Sequence, residues 1–138
     1  YVMSLLDWDK NVDPHYRKNN FRPPLTVAET EDYTEKWIAY GNPYIAAKEL
    51  TVAPGCEVTV SDETPYGCIL VQGHGALYGK LGSFDCATAT MLRFGGKSQD
   101  EFFVSAPSAA KGVTIENHSS CEPLVMLKHF PVYDGVPQ

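Results

Sequence analysis

The sequence predicts an all-β sandwich or barrel, and three observations carry that expectation. Short runs rich in Val, Ile, Leu, Thr and aromatic residues recur about every ten residues from Lys36 onward. Leu50-Thr51-Val52, Val58-Thr59-Val60 and Val113-Thr114-Ile115 alternate apolar with polar residues, the period of a strand with one buried face. Turn residues separate the runs with no helix between them, which excludes a parallel α/β sheet.

Taken in order, the chain begins differently from the way it continues. Ser4 to Val12 places apolar residues at Leu5, Leu6, Trp8 and Val12. Asp13-Pro14 before His15-Tyr16-Arg17-Lys18 reads as an N-cap, a proline at the first helical position and one or two helical turns. Arg22-Pro23-Pro24 suits neither a helix nor a sheet interior. Residues 1–36 are therefore expected to form a short helical and extended arm that packs on a barrel of residues 37–138, with Glu29 to Glu35 as a solvated loop. Strands are expected at 37–40, 44–52, 57–60, 67–72, 76–78, 89–94, 101–105, 113–117 and 124–130. Gly41-Asn42-Pro43, Ala53-Pro54-Gly55, Gly73-His74-Gly75, Gly95-Gly96 and Ser119-Ser120 mark turns between them.

Composition narrows the partners. The 138 residues suit one domain with a core of its own. Seventeen acidic residues against eleven basic ones give a net charge of −6, and no basic run exceeds Arg17-Lys18, which argues against nucleic acid or an anionic membrane. No apolar run approaches the roughly 18 residues that cross a bilayer. The four cysteines, Cys56, Cys68, Cys86 and Cys121, form no Cys-x-x-Cys pair, so they read as free thiols of a cytoplasmic chain. The opening residues lack the charged region of a secretory signal, and the chain does not start with Met, as expected of a processed or excised piece.

Two segments carry a family resemblance. Pro54-Gly55, a strand, a polar turn and then Gly67 through Gly75 resembles the first motif of the cupin superfamily. Pro107 through Asn117, followed by a turn into the last strand, is similar to the second motif, although Pro107-Ser108-Ala109 lacks that motif's glycine. The resemblance spans roughly residues 44–130. It implies a jelly-roll barrel, a small-molecule ligand and pairing of two copies into a homodimer. Metal-dependent cupins hold a divalent ion on three histidines and a glutamate. Those positions fall here on Ser61, Glu63 and Tyr66 in the first motif, and on Val113 or Gly112 in the second. None is its own type, so the resemblance implies a fold without its usual metal and no cofactor is expected.

Within that register Tyr66, Cys68, Leu70 and Gln72 share one strand face, which the resemblance turns into the barrel. The candidate ligand-binding residues are Tyr66, Cys68, Gln72, Glu101 and His129. Glu101 stands in an acidic pair with Asp100, and His129 is an ionisable group on an otherwise apolar strand. His74 and His118 belong to turns and read as exposed. Trp8, Tyr16, Phe21, Trp37, Tyr40 and Tyr44 concentrate aromatic surface, expected to fix the arm to the sheet or to a second subunit, or to stack on sugar rings. Two functions follow. The first is a metal-free module that binds a small polar ligand, a sugar or sugar acid, in the barrel. The second is a metal-dependent enzyme of the sugar isomerase kind, with a divalent metal on an atypical set drawn from Glu63, Tyr66, Glu101 and His129.

Overall fold

A computed structural model describes residues 1–79 and 82–138, without the side chain of Met91. Among the described residues ten strands form two antiparallel sheets. In chain order they are β1 (Leu25–Glu29), β2 (Tyr33–Ala39), β3 (Ala46–Val52), β4 (Glu57–Val60), β5 (Tyr66–Gln72), β6 (His74–Gly79), β7 (Gly82–Ala87), β8 (Glu101–Val104), β9 (Val113–Asn117) and β10 (Leu124–Phe130). One sheet runs β1-β2-β3-β10-β5-β8 and the other β4-β9-β6-β7. The all-β sandwich expected from the alternation is what the chain forms. No helix among the described residues is long and apolar enough to cross a membrane.

The alternation sorts side chains as the pleat requires. On β3, Ala46, Leu50 and Val52 point into the sandwich, and on β10 Leu124, Met126 and Phe130 do the same, all of them buried. Val58, Val60, Leu77, Val113 and Ile115 face them from the second sheet. Asn117, 2% exposed, ties three segments together. Its Nδ2 donates to the carbonyls of Val52 at 3.1 Å, Ala53 at 3.1 Å and Glu122 at 2.9 Å, and its Oδ1 accepts from the Ser119 amide at 3.0 Å. Gly75 lies so close to β9 that a Cβ there would sit 1.9 Å from the Glu116 carbonyl oxygen, so only glycine fits.

Four local expectations need correction. The segment from Glu29 to Glu35 is not a solvated loop: β1 ends at Glu29, β2 starts at Tyr33, and Glu35 is buried. Ala89–Phe94 is a 3-10 helix rather than a strand. It has no alternation, and Gly95, at φ 77°, closes it in the left-handed conformation glycine adopts most easily. The hairpin strand β7 was hidden because Gly82-Ser83-Phe84-Asp85 carries little apolar signal. Residues Ala106–Lys111 form a short helix, α3, with Pro107 in its first turn and Gly112 at its end. The helical turns expected in the arm lie at Trp8–Asn11 (α1) and Tyr16–Asn20 (α2).

Candidate functional site

One row of residues crosses the larger sheet on its inner face. Trp37 on β2 pairs with Lys48 on β3, Lys48 with Lys128 on β10, Lys128 with Cys68 on β5, and Cys68 with Phe102 on β8. Two lysines thus stand directly opposite each other inside the sandwich, an arrangement that is destabilising unless counter-charges intervene. Glu35 of β2 and Asp62, from the turn after β4, supply them. Lys48 Nζ lies 2.8 Å from Asp62 Oδ1 and 3.3 Å from Glu35 Oε2, while Lys128 Nζ lies 2.6 Å from Glu35 Oε1 and 2.5 Å from Asp62 Oδ2. The last of these is a charge contact outside hydrogen-bond geometry, so Asp62 Oδ2 accepts no hydrogen bond. The four groups alternate in sign around a closed ring whose formal charge is zero.

The ring is sealed from water. Lys128 is 0% exposed, and Glu35, Asp62 and Lys48 are buried. Aromatic faces complete the ammonium shells: Lys48 Nζ sits 4.9 Å from the Trp37 ring and 5.3 Å from that of Phe130, and Lys128 Nζ sits 4.9 Å from Tyr66. Burial pulls the Lys48 ammonium toward deprotonation, but the hydrogen bond it donates to Asp62 and the charges of Glu35 and Asp62 outweigh it and hold its pKa above the ordinary lysine value. Burial, with the charge of Asp62 behind it, keeps the Tyr66 phenol neutral far into alkali. Burial likewise pushes the Cys68 thiol up to about 12, against the pull of Lys128, and Cys86 up to about 11.

These shifts share one sign. Each group binds its proton more tightly folded than unfolded, so the stability tied to it is fully present below its unfolded pKa and is lost as pH rises toward the folded value. The loss begins near pH 9 with the two thiols and deepens above about 10 as Tyr66 and Lys48 join. Each group that has ionised only in the unfolded chain contributes about 1.4 kcal/mol of loss per pH unit. The urea midpoint is therefore expected to fall steadily from pH 9 to 11, and Cys68→Ala should flatten that fall. A midpoint constant across this range would contradict the burial of these groups.

A metal-dependent cupin needs three or four ligand atoms turned toward one centre. The interior offers two carboxylates, both already facing ammonium groups, and the two ammoniums place positive charge where a divalent ion would sit. The interior residues do not fit a divalent metal. Among the described residues no three of His, Cys, Asp and Glu gather in a way that could hold one.

The structure separates the sequence-derived candidates. Tyr66 and Cys68 face the interior next to the ring, and Gln72 is half-buried at the end of the same strand face. Glu101 is exposed, because β8 turns Phe102 and Val104 inward and its own odd positions outward. His129 is half-buried on the opposite face of β10 from Lys128 and Phe130. Glu63 is exposed, as is Ser61, while Asp62 between them points inward. The turn here is one residue short of the cupin spacing, which moves the inward positions by one. Val113, the expected second-motif position, is buried and apolar. His74 opens β6 half-buried instead of sitting free in a turn, with its ring centroid 6.5 Å from that of His118. The ring residues Glu35, Lys48, Asp62 and Lys128 were not singled out from the sequence. The signal was present in Ala46-x-Lys48-x-Leu50-x-Val52 and Leu124-x-Met126-x-Lys128-x-Phe130, where each lysine occupies the apolar phase of its strand.

At the end of the row that Phe102 terminates, the sandwich opens into a cleft of about 310 Å³. Its floor is Leu77, Phe102, Val104 and Val113, from β6, β8 and β9. Phe84 and Phe103 form its rim, 48% and 76% exposed. Tyr78, Ser105 and Ser108 line it as well. The Tyr78 hydroxyl donates to Glu116 Oε2 at 2.6 Å, which raises the phenol's pKa and, with His118, lowers that of the carboxyl. The cleft is at the small end of the range for ligand sites and combines apolar faces with a few hydroxyls, as such sites do.

Comparison with known proteins agrees on the fold. No protein-family model matches the sequence, and no curated protein matches it. A cupin 2 conserved barrel domain protein from Rhodopseudomonas palustris superposes with a TM-score of 0.55 at 13% identity, covering 84% of this chain and 75% of its own. A cupin-2 domain protein from Rhodospirillum rubrum gives 0.59 at 16% identity, over 86% of this chain and 78% of that one. Vicilin from hazelnut, Corylus avellana, gives 0.63 at 11% identity over 83% of this chain, which spans 32% of the vicilin chain. The fold is that of the cupins.

Proposed function

We propose that the protein is a metal-free cupin module that binds a monosaccharide, or its acid, in the cleft between the β6–β7 hairpin and β8–α3. The observation that carries this reading is the contrast between the two polar features of the barrel. The interior carboxylates are committed to lysines, whereas the cleft presents unencumbered aromatic surface beside hydroxyls. A sugar ring has one face of C–H bonds that packs on an aromatic ring, and edges that exchange hydrogen bonds with hydroxyls. Phe103 and Phe84 suit the first, and Tyr78, Ser105 and Ser108 suit the second. The same reading keeps the chain in a reducing compartment such as the cytoplasm, which is supported by four cysteines that are all free thiols.

The test is titration of chelator-treated protein by calorimetry against a panel of neutral aldoses and the matching uronic acids. Saturable binding by one class is expected without added metal. Phe103→Ala, at a site too exposed to disturb the fold, should weaken that binding about tenfold, the loss of roughly 1.4 kcal/mol of stacking. Melting temperatures should not move on adding zinc, manganese, nickel or iron. A stoichiometric metal whose binding depends on Asp62 and on which sugar binding depends would overturn the metal-free reading in favour of a metal-dependent isomerase.

A further inference from the structure

Asp62, 5% exposed, meets both buried lysines at once: Lys48 Nζ stands 2.8 Å from its Oδ1 and Lys128 Nζ 2.5 Å from its Oδ2. Only the first of these is a hydrogen bond. Lys128 Nζ therefore presses on the carboxyl outside hydrogen-bond geometry. With Oδ2 one bond length from Cγ, the nitrogen lies no more than about 3.7 Å from that carbon. This approaches the separation of roughly 3–3.5 Å from which a nucleophile attacks. Glu35 Oε1 accepts a hydrogen bond from the same Nζ at 2.6 Å. Lys128 is 0% exposed, and the rings of Tyr66 and Phe130 lie 4.9 and 5.7 Å from its ammonium, so the three groups meet in a dry, aromatic-walled site.

We infer that the folded chain joins Lys128 to Asp62 by an intramolecular amide, an isopeptide bond between Nζ and Cγ, with Glu35 as the proton carrier. The ion-paired ring is the reactant. One proton passes from the Lys128 ammonium to Asp62 Oδ2, which leaves an amine facing a carboxylic acid. Nζ adds to Cγ, and the charge that develops on Oδ1 is met by the Lys48 ammonium at 2.8 Å. Lys48 suits that task, since against the pull of burial its hydrogen bond to Asp62 and the charges of Glu35 and Asp62 keep it protonated. Glu35 takes a second proton from the attacking nitrogen and returns it to Oδ2, the Cγ–Oδ2 bond breaks, and the oxygen leaves as water. The ammonium has given up two protons and the carboxylate one oxygen, and no oxidant or activating group is consumed. One positive and one negative charge disappear from an interior that solvates neither, which favours the amide over the ions. Glu35 and Lys48 remain as a neutral pair at 3.3 Å. The bond ties the turn after β4, a strand of the smaller sheet, to β10 in the middle of the larger one, and so fastens the two layers of the sandwich together.

Intact mass spectrometry in denaturant, on full chain kept folded until its mass is constant, is expected to read about 18 Da below the sequence mass, the loss of one water. Trypsin should then release a branched peptide in which residues 49–80 are joined to residues 112–138, because the modified Lys128 offers no cleavage site. Dehydration elsewhere, as at Asp134-Gly135, would leave those peptides separate. Lys128→Arg, which keeps the positive charge, should retain its full mass. Glu35→Gln should form the bond about a hundredfold more slowly while its far-ultraviolet circular dichroism matches that of the parent, the loss expected on removing a general acid–base group. If that variant does not fold, the peptide map of the parent chain decides by itself. A parent chain at full sequence mass, an equal mass loss with the two peptides separate, or a branched peptide formed at the parent rate in folded Glu35→Gln would each overturn the inference.

Discussion

Lys128→Met is expected to lower the unfolding free energy by about 3–5 kcal/mol, the usual cost of removing one partner from a buried ion pair. The methionine fills much of the same volume, so the loss is electrostatic rather than a cavity. Glu35 and Asp62 would be left with Lys48 alone, and one carboxylate of the pair would be buried without a counter-charge. One further result identifies that cause. Adding Glu35→Gln should recover at least 1 kcal/mol by restoring one anion to one cation, a coupling that a double-mutant cycle reads directly. A variant within 1 kcal/mol of the parent at neutral pH would mean that the ring is not closed in solution.

The second large effect is expected at Asn117. Asn117→Ala removes the donors from the carbonyls of Val52, Ala53 and Glu122 and the acceptor from the Ser119 amide. Each group stranded in the interior costs about 1–3 kcal/mol, and partial rearrangement limits the sum to about 3 kcal/mol. Asn117→Asp should be worse at neutral pH, since a carboxylate would face three carbonyl oxygens at about the same distances. Chemical denaturation measures both. If the aspartate variant is the more stable of the two, the amide is not the hub described here.

The strand order of the sandwich cannot be read from periodicity, but its strands can. Val58-Thr59-Val60 and Val113-Thr114-Ile115 show their buried face because each alternates with threonine, and both lie where the alternation puts them. The segment 82–87 was missed because glycine, serine and aspartate dominate an exposed edge strand that needs little apolar surface. The cupin spacing turned Tyr66 inward, where the structure has it, since the length of its strand fixes its face. It misjudged Ser61 and Glu63, because one missing residue in a turn exchanges the inner and outer faces. His129 was singled out as an ionisable group on an otherwise apolar strand, whereas it is Lys128, paired with Glu35, that faces the interior. The pair was not visible, since Glu35 is distant in sequence and was read as part of a loop. The cleft has no linear signature, because it depends on how separate elements are placed.

The ring also dictates when the protein can fold. Lys48 lies 13 residues from Glu35 and 14 from Asp62, so these three meet early, but Lys128 is 93 residues from Glu35. Until β10 is made and slides between β3 and β5, the early trio holds two anions and one cation, and the sheet lacks its middle strand. A nascent chain at that stage can neither close its hydrogen-bond ladder nor dehydrate its interior without stranding a charge. Assembly is thereby deferred to a single late event of high contact order, slow and close to all-or-none, which disfavours half-built barrels.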